Sequence, residues 1–526
     1  MASGYTIRPN QYFDSVFLMG VNQRLSRTKG VRQTAVLMAS DRNKELLADI
    51  GIRGDEIVAA RPNDLIVAVI ADSPGVVEAT LEGLDKALVA VQDSTPVSDL
   101  HTLEDGLRAR PAANLALLTI PGGYVYREAR QSLDAGLNLF IFSSNVPVEE
   151  ERKLKQLARE RNLMVMGPDC GTSILNGVGL GFANVVRRGT IGAIGPSGTG
   201  LQEFTCQIHR AGSGISHAIG TGSRDLSDEV GGITTLMALD KLEADRRTEV
   251  IAIVAKPVGK DTLAHLVRRL QACAKPVVAC LLGSQAPEQV GGSGVVWART
   301  IDAAVAAALR LSGNQDRPAP DTLNAEEAQP AGQQRAAWTS EQRFIRGLFA
   351  GGTFCYQSHQ ILHAAGLPVY SNAPLDTKYL LAPSEGSRQH TLIDMGDEVF
   401  TLGRLHPMID GTLRRQRILA ESGDPSVAIL LLDFILGYNA SPDPVGDILD
   451  AILEGQRTRP KQAGKLVVVA SMCGTDGDPQ NLVHQTELLH QAGVLVFKTN
   501  ARATSFCREL LRSAGELPWN RNPTRS

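Results

Sequence analysis

No Cys-x-x-Cys pair occurs in this sequence. Its seven cysteines, Cys170, Cys206, Cys273, Cys280, Cys355, Cys473 and Cys507, are scattered over 526 residues. Scattered single cysteines exclude a thiolate zinc site and a disulfide framework, and they point to a reduced, intracellular chain. Charge of one sign is not in excess either. With 53 basic and 56 acidic residues the formal charge is −3, so nothing draws nucleic acid and no like-charge block forms a tail. Long apolar runs are also missing; none approaches the roughly 18 residues of a membrane-spanning helix. The opening Met1-Ala2-Ser3-Gly4-Tyr5 is no signal peptide. A soluble, cytoplasmic protein is expected, without nucleic-acid or membrane partners. His209, His217, His265, His359, His363, His484 and His490 read as helix-face or surface residues, and no metal site is expected.

What the sequence does contain is a repeated alternation. Short Val/Ile/Leu runs such as "DLIVAVIA", "LNLFIF", "VIAIVAKP", "KPVVACLLG" and "KLVVVASM" alternate with amphipathic stretches such as "EEERKLKQLARERN". Continuous apolar runs are the mark of strands buried on both faces of a parallel sheet, so the class is α/β built from βαβ units. The length suggests three or four domains of about 150 residues each. The divisions expected are a Rossmann-like domain over 1–186, a second α/β domain over 187–312, a linker over 313–339 and a third domain over 340–516. The linker is read from "LSGNQDRPAPDTLNAEEAQPAGQQRAAW", which has no apolar period.

"IGAIGPSGTGLQEF", residues 191–204, reads as a strand, a glycine turn and a helix start. The turn would present the backbone N–H groups of Gly198, Thr199 and Gly200, with the Ser197 hydroxyl, to a phosphate or carboxylate. It is neither a Walker A loop nor Gly-x-Gly-x-x-Gly, so neither a nucleoside triphosphate on Mg²⁺ nor NAD is implied. The same layout recurs in "FIRGLFAGGTFCYQSHQIL", where Gly351, Gly352 and Thr353 open a helix. Two such starts facing each other would make one anion site between two domains. The plainer alternative is that the glycines only make tight turns.

These segments resemble the succinyl-CoA synthetase superfamily. "MVMGPDCGTSIL" followed by "GTIGAIGPSGTGLQEF" is similar to the α subunit, and the stretch from 344 is similar to the C-terminal domain of the β subunit. The layout resembles the FdrA family more closely still, through "FDSVFLM", "GSRDLSDEVGG", "GLFAGGT" and "IDMGDEVFTLGRLHPMID". That resemblance implies a Rossmann-like CoA-binding-type domain followed by two flavodoxin-like domains. It departs from the superfamily in two ways. The loop "SQAPEQVGGSGVVW", 284–297, has no histidine where a phosphohistidine is expected, and the three domains leave no room for an ATP-grasp fold. The family resemblance implies a component of oxamate carbamoyltransferase in purine-ureide (allantoin) degradation. That reaction interconverts oxalurate plus phosphate with oxamate plus carbamoyl phosphate, and it implies partner subunits in a hetero-complex, with a homo-oligomer as another arrangement. An acyl-CoA synthetase, ADP-forming, with its nucleotide module on another chain stays open, as does a non-catalytic scaffold. No cofactor is expected with certainty; phosphate or carbamoyl phosphate is the expected ligand, and CoA enters only under the alternative.

Candidate residues follow from residue type. Glu203 lies one turn into the first helix, as a catalytic donor-orienting group or a residue that favours the helix dipole. Arg404 offers a planar fork for a carboxylate, and His406 a general acid or base. Asp394 and Asp410 flank them as substrate-binding residues, beside Asp397. Arg224 and Asp225 follow a strand and would line the same crevice. Asn145 would border a former CoA site.

Overall fold

The computed structural model describes the chain apart from residues 1, 12, 14, 27, 93–99, 285–293, 314–322, 383–384, 402–403 and 514–526. It divides into two compact units, Met1–Ala112 and Ala113–Ser526.

The first unit holds a three-stranded sheet in which Leu65–Ala71 lies between Ala2–Arg8 and Val31–Met38, antiparallel to both. The apolar run "LIVAVIA" predicts a parallel strand, and the antiparallel pairing corrects that expectation. Leu65 and Val67 pack with Leu18, Val21 and Leu84 on one face, while Ile66 and Ala68 pack with Leu47 and Ile57 on the other. A continuous apolar run reports burial on both faces, and a central antiparallel strand satisfies that equally well. The expected single domain over 1–186 is therefore divided, because its first 112 residues form their own unit.

The second unit is α/β with three sheets. Leu115–Leu118, Asn138–Ile141 and Val165–Met166 form a parallel layer. Five parallel strands, Val295–Trp297, Val277–Leu281, Val250–Ala255, Arg188–Gly195 and Ile215–Gly220, continue into the hairpin Thr172–Leu175 and Val178–Gly181. The hairpin lies before residue 187 yet joins the sheet after it, so pairing does not respect the boundary expected there. The third sheet is all parallel, in the order Val369–Tyr370, His390–Asp394, Phe344–Phe349, Val427–Ile435, Val467–Cys473 and Leu495–Phe497.

Two 13-residue helices follow strands through the glycine turns: Gly198–Arg210 (the 198 helix) and Gly352–Ala364 (the 352 helix). Every residue of the 198 helix from Gly200 to His209 is buried, which requires protein on all sides. Its polar side chains are met by the C-terminal part of the chain. Asn184 donates to Leu436 O at 2.8 Å and to Asp478 Oδ2 at 2.7 Å, while Gln202 donates to Asn184 Oδ1 at 3.0 Å.

The expected linker is corrected as well. Within it, Ala325–Ala328 and Pro330–Ala336 are helical. Ala331 is buried in the cluster that contains Phe506 and Leu510, and Arg502 pairs with Glu327 at 2.5 Å. An Ala- and Gln-rich helix with one small buried face carries little apolar period, which is why it read as unstructured.

Candidate functional site

The 198 and 352 helices meet at their N-terminal ends. The hydroxyl oxygens of Ser197 and Thr353 are in direct hydrogen-bond contact. A Cβ on Gly351 would lie 3.1 Å from Thr199 Cγ2, and one on Gly200 would lie 3.2 Å from Thr353 Cγ2. Larger residues at either glycine would push the two starts apart. Neither helix start is capped by a side chain. The N–H groups of Gly198, Thr199, Gly200, Gly352 and Thr353, as residues of a first helical turn, have no intrahelical acceptor. Five donors and two positive helix ends thus converge in one crevice.

The 352 turn is less free than its sequence implied. The N–H of Ala350 donates to Asp433 Oδ1 at 2.8 Å, and that of Gly351 to Asp433 Oδ2 at 2.7 Å. The guanidinium of Arg414 donates to Asp433 Oδ1 at 3.0 Å and to the carbonyls of Leu348 and Asp433. Gly351 therefore belongs to an internal carboxylate seat rather than to a ligand. Burial raises the Asp433 carboxyl, against the pull of Arg414 and the two N–H bonds.

Asp394 ends its strand beside Gly352, where a Cβ would collide with Asp394 Oδ2. Burial pushes its carboxyl up to about 6, opposed by Lys256 and assisted by Asp397. His406 is at the same place: a Cβ on Gly396 would lie 2.8 Å from His406 Nε2 and 3.3 Å from Asp394 Oδ1. The Met408 N–H donates to His406 Nδ1 at 3.2 Å, which assigns the proton to Nε2. Burial, with Arg414 adding to it, pushes His406 down to about 4. Near pH 7 it is therefore neutral, with Nδ1 accepting from Met408 and the proton on Nε2.

Two residues that sequence reading passed over lie within electrostatic reach of these groups. Lys256 follows the strand Val250–Ala255, and Asp169 follows Val165–Met166 through Gly167 and Pro168. Lys256 is within electrostatic reach of Asp169, Cys355 and Asp394. Burial raises the Asp169 carboxyl, opposed by a hydrogen bond from Ser223. Both residues stand just beyond the carboxyl ends of parallel strands, where open α/β sheets bind ligands. That position was the signal available in "MGPDC" and "VIAIVAKP".

Other expected residues lie elsewhere. The Glu203 carboxylate accepts from Gln207 at 3.0 Å and lies near Arg210, Asp302 and Cys473, so its role is internal. Burial, against Arg210, pushes it up to about 7. Asp225 is fully buried and accepts from Lys155 at 2.8 Å, Thr234 N at 3.1 Å and Thr235 N and Oγ1 at 2.9 and 2.7 Å. Arg224 bonds to Glu151 at 3.1 Å and to Val146 O at 2.5 Å. These two tie the helix Val148–Glu160 to the following sheet. Asp410 accepts from Thr412 N at 2.8 Å and Thr412 Oγ1 at 2.5 Å, at the start of the helix Thr412–Gly423. Arg404 is exposed, next to residues outside the described set. Asn145 is exposed with φ 58, at the end of the parallel layer. The histidine-free loop 284–297 falls largely on residues 285–293, outside the described residues.

Among the described residues no three His, Cys, Asp or Glu side chains gather as a metal site, and no helix is long and apolar enough to cross a membrane.

Comparison with known proteins adds two family matches: CoA-ligase over residues 348–509, and "AllF, heavy metal-associated domain" over residues 1–101. Residues 1–101 hold no cysteine and a single histidine, His101. The uncharacterized protein YahF of Escherichia coli is 38% identical over 514 residues, spanning 97% of this chain and 99% of that protein. The succinate–CoA ligase [ADP-forming] α subunit of Methanothermobacter thermautotrophicus is 27% identical over 203 residues, 38% of this chain and 68% of the relative. Among solved structures, the apo dinucleotide-forming acetyl-coenzyme A synthetase 1 of Ca. Korarchaeum cryptofilum aligns over 77% of this chain and 86% of its own, with TM-score 0.32 and 18% identity.

Proposed function

The chain belongs to the family of Escherichia coli YahF, within the succinyl-CoA synthetase-like superfamily, and from that premise we propose that it is an acyl-phosphate enzyme of FdrA type, seating phosphate between its two helix starts. The observation that carries this reading is the Ser197–Thr353 contact, which brings the unclaimed N–H groups of both starts to one point. Carbamoyl transfer suits such a seat. In the phosphorolytic direction a phosphate oxygen attacks the carbamoyl carbon of oxalurate, the carbon–nitrogen bond to oxamate breaks, and the oxamate nitrogen takes a proton. N–H donors at a helix start stabilise the phosphate throughout without a histidine carrier.

Within this reading the neutral His406 donates its Nε2–H to the carbamoyl oxygen, as a neutral imidazole held by its other nitrogen can. Asp394, titrating at about 6, carries the proton to the departing nitrogen. Arg404, exposed to solvent, receives the oxamate carboxylate. Partner subunits complete the enzyme, a reading supported by the ligase relatives, which are themselves α subunits. The test is phosphate-dependent cleavage of oxalurate and other carbamoylated acids, with and without candidate partner subunits. Carbamoyl phosphate should appear; no phosphate-dependent product with any of them would overturn the reading.

The names of those relatives favour a second reading, an acid–CoA ligase whose nucleotide module is on another chain, with Asn145 at the CoA edge. Acyl-CoA formed from ATP and an acid in the presence of such a subunit, without any phosphorolysis, would select it.

A further inference from the structure

A second cleft, of about 1120 Å³, opens at the far end of the 198 helix. Gln207 and Arg210 at the end of that helix line it, with Met472, the helix Leu482–Gln491 and the segment 496–499. Met472 lies in the last turn of the strand Val467–Cys473, and Lys498 directly follows the neighbouring parallel strand Leu495–Phe497. The cleft thus stands at the carboxyl ends of two strands of the third sheet, where open α/β sheets bind ligands. The 198 helix, 13 residues or about 20 Å long, separates it from the Ser197–Thr353 contact at the other end.

Most polar groups of the cleft are committed to one another. Asp302 accepts from Gln207 at 3.2 Å and from Thr499 Oγ1 at 2.8 Å. His209 and Asp476 meet at 2.7 Å, the Arg187 guanidinium donates to the His209 carbonyl, and Arg502 pairs with Glu327. Three charged side chains are left. Arg210 donates through Nη1 to Met472 O at 3.3 Å, while its Nη2 is buried without a partner. Lys498 and Glu487, both exposed, bond to nothing among the described residues. Two cations and one carboxylate leave a single positive charge for a ligand. A buried guanidinium nitrogen is costly without an acceptor, and a carboxylate is the acceptor its planar fork fits. The rest of the lining is apolar: Leu482, Val483, Val496 and Phe497, with Val483 64% exposed. Apolar walls with a few unspent polar groups are the make-up of a small-molecule site.

We propose that this cleft is a second ligand site, which takes a singly charged carboxylic acid with an apolar chain. The carboxylate accepts from Arg210 Nη2, and the chain lies on Val483, Val496 and Phe497. The site is independent of the phosphate seat at the other end of the 198 helix. A phosphate dianion would exceed the one positive charge left over, and a short acid would leave the apolar wall in water.

The test is calorimetric titration of the full chain with hexanoate, acetate and hexylammonium, for the wild type, Arg210→Met and Val483→Asp. Hexanoate should bind at one site, acetate roughly tenfold or more weaker because it has no chain to bury, and hexylammonium not measurably. Arg210→Met keeps an apolar stem but removes the charge-assisted bond, and should weaken hexanoate roughly tenfold or more. Val483 is exposed, so Val483→Asp should keep the wild-type melting temperature. The added acid and the lost apolar contact should still weaken hexanoate by a similar factor. If Arg210→Met lowers the melting temperature, Val483→Asp decides. Wild-type hexanoate affinity in either folded variant would place the acid elsewhere and overturn the site. Hexylammonium binding as tightly as hexanoate, or no hexanoate binding by the wild type, would overturn it too.

Discussion

Ser197 and Thr353, 156 residues apart in the chain, touch through their hydroxyls at the N-terminal ends of two facing helices. Two positive helix ends at one point repel unless negative charge is placed between or behind them. Asp433 provides part of that charge from behind, through the N–H groups of Ala350 and Gly351. An anion in the crevice would provide the rest, and this is why the contact is read as a binding site.

Gly352 touches the crevice through its missing side chain. A Cβ there would collide with Asp394 Oδ2, so Gly352→Ala must displace either the carboxylate or the helix start. Phosphate affinity measured by calorimetry should fall roughly tenfold or more, through the charge-assisted N–H bonds it disturbs. Unchanged affinity would place the ligand elsewhere.

Arg414 and Asp433 form a buried pair at 3.0 Å beneath the 352 turn. Arg414→Met strips the charge from a carboxylate that cannot reach water. Urea unfolding should show a loss of about 3–5 kcal/mol, the usual consequence of orphaning one partner of a buried pair. A loss below about 1 kcal/mol would mean that the two N–H donors hold the carboxylate unaided.

Glu203 gives a pH signature. Its carboxyl rises from the ordinary 4.5 to about 7 in the folded chain because burial disfavours the ion. Below pH 4.5 both folded and unfolded forms are protonated and nothing is lost. As pH climbs to 7 the unfolded chain ionises first, so the wild type loses stability, by up to about 3 kcal/mol. Glu203→Gln escapes this, and its stability relative to wild type should grow between pH 5 and pH 8. A difference that does not change with pH would show that Glu203 stays ionised throughout.

Asp478 joins the two halves of the second unit. It accepts from Val185 N at 2.8 Å, from Asn184 Nδ2 at 2.7 Å and from Thr475 N at 2.8 Å. Asp478→Ala leaves two buried donors and one half-buried donor without this acceptor, at about 1–3 kcal/mol for each buried one before relaxation. Thermal unfolding should drop by several degrees and broaden as residues near 185 and 475 part company. A transition that keeps its midpoint would refute this interlock.

The α/β class and the two strand–turn–helix units were legible in the sequence because local signals encode them. Apolar runs mark strands buried on both faces, and glycines at 198, 200, 351 and 352 mark turns into helices. Asp394 and His406 were singled out for their local crowding, and the fold sets them beside one another at Gly396. What local signals do not encode is direction or distance. "LIVAVIA" gave burial but not that its neighbours run antiparallel, and the Ala/Gln-rich segment near 330 gave no sign of its packing against the helix Asn500–Ser513.

The sequence by itself determined which elements form and that two helix starts carry free donors, because period and backbone freedom are properties of neighbouring residues. Only the tertiary structure decided which polar groups are spent. Asp225 and Arg224 were chemically fit for a site, yet each meets an internal partner supplied by the fold, whereas Asp410 and Glu203 are met by Thr412 and Gln207, their near neighbours in the chain. Lys256 and Asp169, unremarkable in their own segments, follow the ends of strands in different sheets and come within electrostatic reach of each other. A side chain's chemistry is written in its type; whether it is free to act depends on partners that folding brings from far along the chain.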